Sequence, residues 1–121
     1  EIEFKGDLNE SDLADSYRNA DIFCLTPEST NNSVEGFGIA YLEASAFYLP
    51  ILATRVGGVE DAVIDQQTGF LSAPGDINEL KNYLQRLMED KELRKKMGAE
   101  GRKWSQNHSW QKLVKELYQN Y

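Results

Sequence analysis

Four short strand-like runs, Ile2–Lys5, Ile22–Leu25, Ile51–Thr54 and Phe70–Ser72, alternate with longer stretches of helical character. This alternation is the mark of an open parallel α/β sheet. Ile22–Leu25 is apolar throughout, as a strand buried on both faces should be. The intervening helices carry their own signals. Asn9 caps a predicted helix through Arg18, with Leu8 before the cap and Asp12 at its third position. Another helix is predicted over Gly38–Tyr48 and a short one over Glu60–Ile64. Past Pro74 the pattern is helical throughout. Asp76 and Glu79 make a capping-box-like start, and Ile77, Leu80, Leu84, Leu87 and Met88 trace one face. A further helix is predicted from Lys91 to Gln106. A last one begins at Ser109, with Trp110, Leu113, Val114, Leu117, Tyr118 and Tyr121 at helical spacing. The chain therefore divides into an alternating part, residues 1–75, and a helical part, 76–121.

The chemistry concentrates in the stretch Val34 to Ala44. Two carboxylates, Glu35 and Glu43, stand eight positions apart, and Gly36 and Gly38 lie between them. Glycine lets backbone N–H groups come close to a ligand. The first turn of a helix offers free amides and partial positive charge, which suit a phosphate. A helix starting near Gly38 would put Glu43 about 8 Å along the axis, at ~1.5 Å per residue, with Glu35 on the preceding loop. Two carboxylates flanking a phosphate cradle grip hydroxyl groups at both ends of a diphosphate. A nucleotide sugar has that layout.

Glu35 and Glu43 reproduce the E-x7-E motif of retaining glycosyltransferases of family 4, the group 1 transferases, and the chain resembles them in order along almost its whole length. Ala20–Pro27 is similar to the family's "ADvfvlPS" and Leu49–Thr54 to "lPViat". Val56–Glu60 resembles "vGGvpE", Thr68–Leu71 "tGfLv", Pro74–Asp76 "pgD", and Ser109–Trp110 the late "sW" helix start. The resemblance implies a partial Rossmann-like parallel sheet with flanking helices and a helical C-terminal tail. That is the later part of the donor-binding domain of a two-domain GT-B enzyme, without the acceptor domain.

By the same resemblance, Glu35 hydrogen-bonds the donor sugar, and Gly36 with the amides of Phe37, Gly38 and Ile39 faces sugar and phosphates. Glu43 takes the ribose, while Thr26, Pro27, Gly57 and Gly58 line the site. No catalytic residue is assigned. The implied donor is a UDP-, GDP- or ADP-sugar, and the acceptor is a glycan or lipid-linked group of unknown identity. No metal or other cofactor is expected. The chain alone is expected to be inactive, because the basic clamp on the diphosphate lies upstream in the family. Two further departures are Tyr48, where the family carries glycine, and the polar, Asn-containing stretch Ser29–Ser33. The alternatives are a non-catalytic nucleotide-sugar-binding module and an α/β scaffold domain, which would bind no donor.

Composition narrows the partners. Thirteen Lys and Arg against twenty Asp and Glu give a net charge of -7, so the chain lacks the electrostatic footprint of a nucleic-acid binder. The basic residues from Lys91 to Lys103 interleave with Glu92 and Glu100 and read as a solvated helix face. Arg55 alone brings positive charge to the site-forming loops, and no role is assigned to it. A single cysteine, Cys24, forbids an internal disulfide, suits a reducing compartment, and reads as a core residue of its strand. Trp104 and Trp110 read as packing residues and His108 as a neighbour of a helix cap. No apolar run approaches the ~20 residues that span a bilayer. The expected location is cytoplasmic, with the intact enzyme at most peripheral at the inner face of the membrane. Self-association through the final helix or an open sheet edge is also expected.

Overall fold

The computed structural model describes residues 2–27 and 34–107, without the side chains of 34–37. The expected helix after Ser109, with Trp110, together with His108 and the Ser29–Ser33 stretch, lies outside the described residues. Helix α1 is Glu10–Asn19, followed by strand β1 (Phe23–Leu25), helix α2 (Val34–Ala46) and strand β2 (Ile51–Thr54). Then come α3 (Val59–Ala62), β3 (Gly69–Ser72), α4 (Ile77–Glu89) and α5 (Lys91–Asn107). The strands form one parallel sheet in the order β1-β2-β3, with Phe23 beside Ile51 and Ile51 beside Gly69.

Every residue of β2 and β3 is buried, as expected for parallel strands covered on both faces. Tyr41, Ala44, Ile51, Ala53, Val59 and Leu71 pack on the α2 and α3 side. Leu52, Phe70, Leu87 and Met97 pack on the α4 and α5 side. Between β2 and β3, a Cβ on Gly69 would overlap the Ile51 carbonyl. That position admits glycine alone.

β1 departs from the expectation of a fully buried strand. Among the described residues it is an edge strand, and Cys24 is exposed rather than core. Residues 2–5 do not form the expected strand at all. No neighbour among the described residues offers them a ladder, and Ile2 and Phe4 are 82% and 93% exposed.

The helix signals hold with local changes. The Asn9 side chain accepts from the Asp12 N–H at 2.8 Å, and α1 runs one residue past Arg18. α1 buries none of its residues completely. It is held largely by Tyr17, whose ring stacks 5.2 Å from Phe47 and lies 6.0 Å from Phe23. At α4, Asp76 accepts from the Glu79 N–H at 3.0 Å. The Glu79 carboxylate reaches past the cap to the Ala73 N–H at 2.6 Å, so the box closes one turn further back than expected. The buried face of α4 is Leu80, Tyr83, Leu84 and Leu87. Ile77 and Met88, expected on it, are 64% and 65% exposed, because the stripe in contact is narrower than the apolar pattern. Tyr83 lies flat on Phe70 at 4.5 Å.

The C-terminus of α2 is where the layers lock. The Tyr48 N–H donates to the Ser45 carbonyl at 3.1 Å and the Leu49 N–H to the Ala44 carbonyl at 3.3 Å. These are the two bonds of a Schellman motif, and Tyr48 sits at its left-handed position with φ of 64°. Glycine is the usual occupant there, so the tyrosine that departs from the family pattern carries the backbone geometry of the residue it replaces. Helix α5 crosses this turn. A Cβ on Gly98 would overlap the Tyr48 carbonyl oxygen, and one on Gly101 would stand 3.4 Å from Ser45. Arg102 donates to the Ala46 carbonyl at 2.9 Å and places its guanidinium 5.7 Å from the centre of the Tyr48 ring. Trp104 donates its indole N–H to the Ala62 carbonyl at 2.9 Å, so it joins α5 to α3 as well as packing.

The contrast between the two glycines is testable by urea unfolding. Gly98→Ala should destabilise by about 1–3 kcal/mol or more, the usual cost of overpacking, because backbone must move. Gly101→Ala should stay within about 1 kcal/mol of the parent, since a small shift at Ser45 offsets the helix-propensity gain of alanine. Equal costs at the two positions would contradict the close crossing.

Candidate functional site

The carboxyl ends of β1 and β2 are tied together. The Thr54 hydroxyl donates to the Pro27 carbonyl, and the buried Tyr41 hydroxyl of α2 donates to the Leu25 carbonyl at 2.7 Å. Ligands of open α/β sheets bind outside this edge of the sheet. Thr26 and Pro27 follow the carboxyl end of β1 directly. Past β2 the chain turns at Gly57, with φ of 55°, and Gly58 is the N-cap position of α3. Gly57 has a backbone reason to be glycine, and Gly58 has none of that kind.

Helix α2 begins at Val34, four residues earlier than expected. Glu35 and Gly36 are therefore in its first turn, not on a preceding loop. Unpaired amides belong to that turn. Gly38 and Ile39 lie beyond it, where an α-helix pairs each N–H with the carbonyl four residues back. Free amides at those two positions are not what this helix offers. The earlier start also brings positions 35, 39 and 43 into an i, i+4, i+8 series along one flank, about 12 Å from end to end at ~1.5 Å per residue.

Glu43 is exposed, although Ala44 and Ser45 next to it are buried. Its partner is Tyr17, whose hydroxyl donates to Glu43 Oε2 at 3.1 Å across the seam between α1 and α2. Desolvation pushes the Tyr17 phenol up to about 12, and the Glu43 charge and hydrogen bond add to the effect. The phenol therefore remains a donor throughout the neutral range. No cation stands within ion-pair distance of Glu43 among the described residues.

Gly38 is informative by what it lacks. A Cβ there would meet only the Ala62 Cβ at 4.0 Å, an ordinary contact, and its φ is not in the left-handed region. A helix-interior glycine costs roughly 0.5–1 kcal/mol relative to alanine. Packing gives this one no return.

Arg55 does not stand ready for a phosphate. It pairs with Asp65 at 2.7 Å and Glu60 at 3.1 Å, and these carboxylates, the Asp65 hydrogen bond first, raise its pKa. Asp65 also accepts from the Leu71 N–H at 2.9 Å, so it fastens the turn before β3 to the strand itself. Sequence reasoning missed Tyr17, Asp65 and Arg102. The nearest signal for Tyr17 was an aromatic at the end of an otherwise polar helix. An open cleft of about 480 Å³ between Gln66, Lys96, Met97 and Glu100 contains none of the motif residues. The turn before β3 and one face of α5 form it.

Residues 1–104 match the family described as glycosyl transferases group 1. The chain belongs to that family. Among its relatives, a sulfoquinovosyl transferase of Arabidopsis thaliana is 33% identical over 117 residues, covering 94% of this chain and 22% of the relative. A GDP-mannose-dependent monoacylated alpha-(1-6)-phosphatidylinositol monomannoside mannosyltransferase of Corynebacterium glutamicum is 35% identical over 103 residues. That match covers 84% of this chain and 27% of the relative. Among solved structures, sucrose-phosphate synthase from Thermosynechococcus elongatus superposes with a TM-score of 0.75 at 26% identity, covering 98% of this chain and 31% of that one. This likeness gives the α/β fold as that of a GT-B enzyme. The chain thus spans about a quarter to a third of the proteins it matches. No helix among the described residues is long and apolar enough to cross a membrane.

Two outcomes follow from the geometry. Gly38→Ala should stabilise the fold by about 0.5–1 kcal/mol in urea unfolding, since nothing opposes the methyl group. Loss of stability there would show that packing requires the glycine. The second concerns alkaline pH. A phenol at about 12 when folded and 10.0 when free holds its proton longer in the folded state. Stability should therefore fall as pH rises from about 10 to about 12. Tyr41, also raised by burial, adds to this loss. Tyr17→Phe should flatten part of the slope when unfolding is followed over a series of pH values.

Proposed function

We propose that this chain is the later part of the C-terminal, donor-binding domain of a retaining glycosyltransferase. The intact protein would transfer a sugar from a nucleotide sugar to a glycan or lipid-linked acceptor. The observation that carries this reading is the single flank of α2 that holds positions 35, 39 and 43, beginning at the carboxyl edge of the sheet. A donor laid along that flank meets the first-turn amides with its phosphates and Glu43 with its ribose. Glu35 stands at the other end for the sugar.

The work of such a site is electrostatic and positional. As the bond from the anomeric carbon to the diphosphate breaks, negative charge grows on the leaving group while the sugar becomes oxocarbenium-like. First-turn amides and the helix dipole stabilise that charge without reorganising. Glu35 and Glu43 fix the donor at its two ends and take no part in proton transfer. The reading calls for no metal or cofactor from these residues. The remaining positive charge and the acceptor site belong to parts of the protein outside this chain, so the chain alone is inactive. Family membership supports the reaction class, and the mannosyltransferase relative, named for GDP-mannose, supports a nucleotide-sugar donor for this chain.

Calorimetric titration of the intact protein with UDP-, GDP- and ADP-sugars tests the reading. At least one should bind, and Glu43→Ala should weaken it by about 1–3 kcal/mol, the range for losing hydrogen bonds to a charged group. Glu35→Ala should instead lower turnover or blur sugar selectivity. An α/β scaffold would bind none of the three.

A further inference from the structure

We propose that Tyr17 is a positioning residue for Glu43, holding its carboxylate in the orientation that receives the ribose hydroxyls. This rests on the donor-site reading above and adds to it a residue from outside the motif. Tyr17 is 26 positions away in sequence and on a different helix, yet its hydroxyl donates to Glu43 Oε2 at 3.1 Å. The phenol is well fixed for this purpose. Its ring is stacked on Phe47 at 5.2 Å and tilted against Phe23 at 6.0 Å, so the turn that ends α2 and strand β1 together set the position of the oxygen.

The chemistry of the partner matters as much as its position. An exposed glutamate left alone samples several rotamers, and a diol that binds it must freeze them. A lysine or arginine would hold the carboxylate but would neutralise it and compete with the ligand. A neutral hydroxyl holds it and leaves the charge intact. A carboxylate offers about four acceptor sites on two oxygens. Tyr17 occupies one of them on Oε2, which leaves Oε1 whole for a hydroxyl pair. At an exposed seam this single hydrogen bond adds little to stability. Its effect is on orientation, and freezing one such side chain in advance is worth about two- to tenfold in affinity.

The test uses UDP, GDP and ADP and their 2′-deoxy counterparts, titrated calorimetrically into the intact protein. The parent should prefer at least one ribonucleotide to its deoxy form, and Glu43→Gln should abolish that preference. Tyr17→Phe keeps the ring, and with it the contacts to Phe47 and Phe23, so folding should be preserved and is checked by thermal unfolding. It should weaken the ribonucleotide about two- to tenfold and the deoxynucleotide, which keeps only the 3′-hydroxyl of the pair, by less. The double variant should lose no more than Glu43→Gln alone. Two results would overturn the positioning role alone. One is an unchanged preference in Tyr17→Phe beside its loss in Glu43→Gln, and the other is an equal weakening of both nucleotides. No preference in the parent, or one that survives Glu43→Gln, would overturn the ribose role of Glu43 itself and the proposal with it.

Discussion

The crossing of α5 over the end of α2 is the contact on which the rest of this structure depends. Gly98 brings the α5 backbone onto the Tyr48 carbonyl, and Arg102 satisfies the Ala46 carbonyl left open at the helix terminus. The end of a helix leaves several carbonyls without partners, and burying them unpaired would be costly. Here a Schellman turn takes some of them and a side chain from another helix takes one more. Helix α2 is therefore pinned at its C-terminus, and its N-terminal half extends to the carboxyl edge of the sheet. Tyr41 anchors it along the way through the Leu25 carbonyl. A functional flank needs that rigidity, since a donor gripped at two ends tolerates little movement between them.

A division of labour among the glycines follows from the same geometry. Gly69 and Gly98 are dictated by backbone packing, and Gly57 by a left-handed turn. Gly38 is dictated by none of these. Tyr48 shows the converse. It accepts a left-handed φ that glycine would adopt without strain, and the Arg102 guanidinium over its ring gives the side chain a contact in return.

Much of this was legible in the sequence, and the reasons for the failures are physical. The α/β order and the Asn9 and Asp76 caps came from local patterns that tertiary structure left intact. Ile2–Lys5 failed because a strand is defined by its neighbour, which no local pattern supplies. Cys24 failed because position within the sheet, edge or centre, is not written in one strand. The start of α2 was misplaced because two glycines look like a loop. For the site, the motif marked Glu35 and Glu43 but not Tyr17, since a partner 26 residues away on a polar helix leaves no spacing to read. The pairing of Arg55 with Asp65 was not legible, because Asp65 lies in a turn with no evident signal.

The central claim is that a nucleotide donor lies along the outer flank of α2, from its first turn to Glu43. Amide chemical-shift mapping of the protein with a bound nucleoside diphosphate tests it most directly. The account predicts the largest shifts over residues 34–43, at Tyr17, and in the turn at Gly57 and Gly58. Shifts gathered instead around Gln66, Lys96 and Glu100, with α2 unmoved, would contradict it.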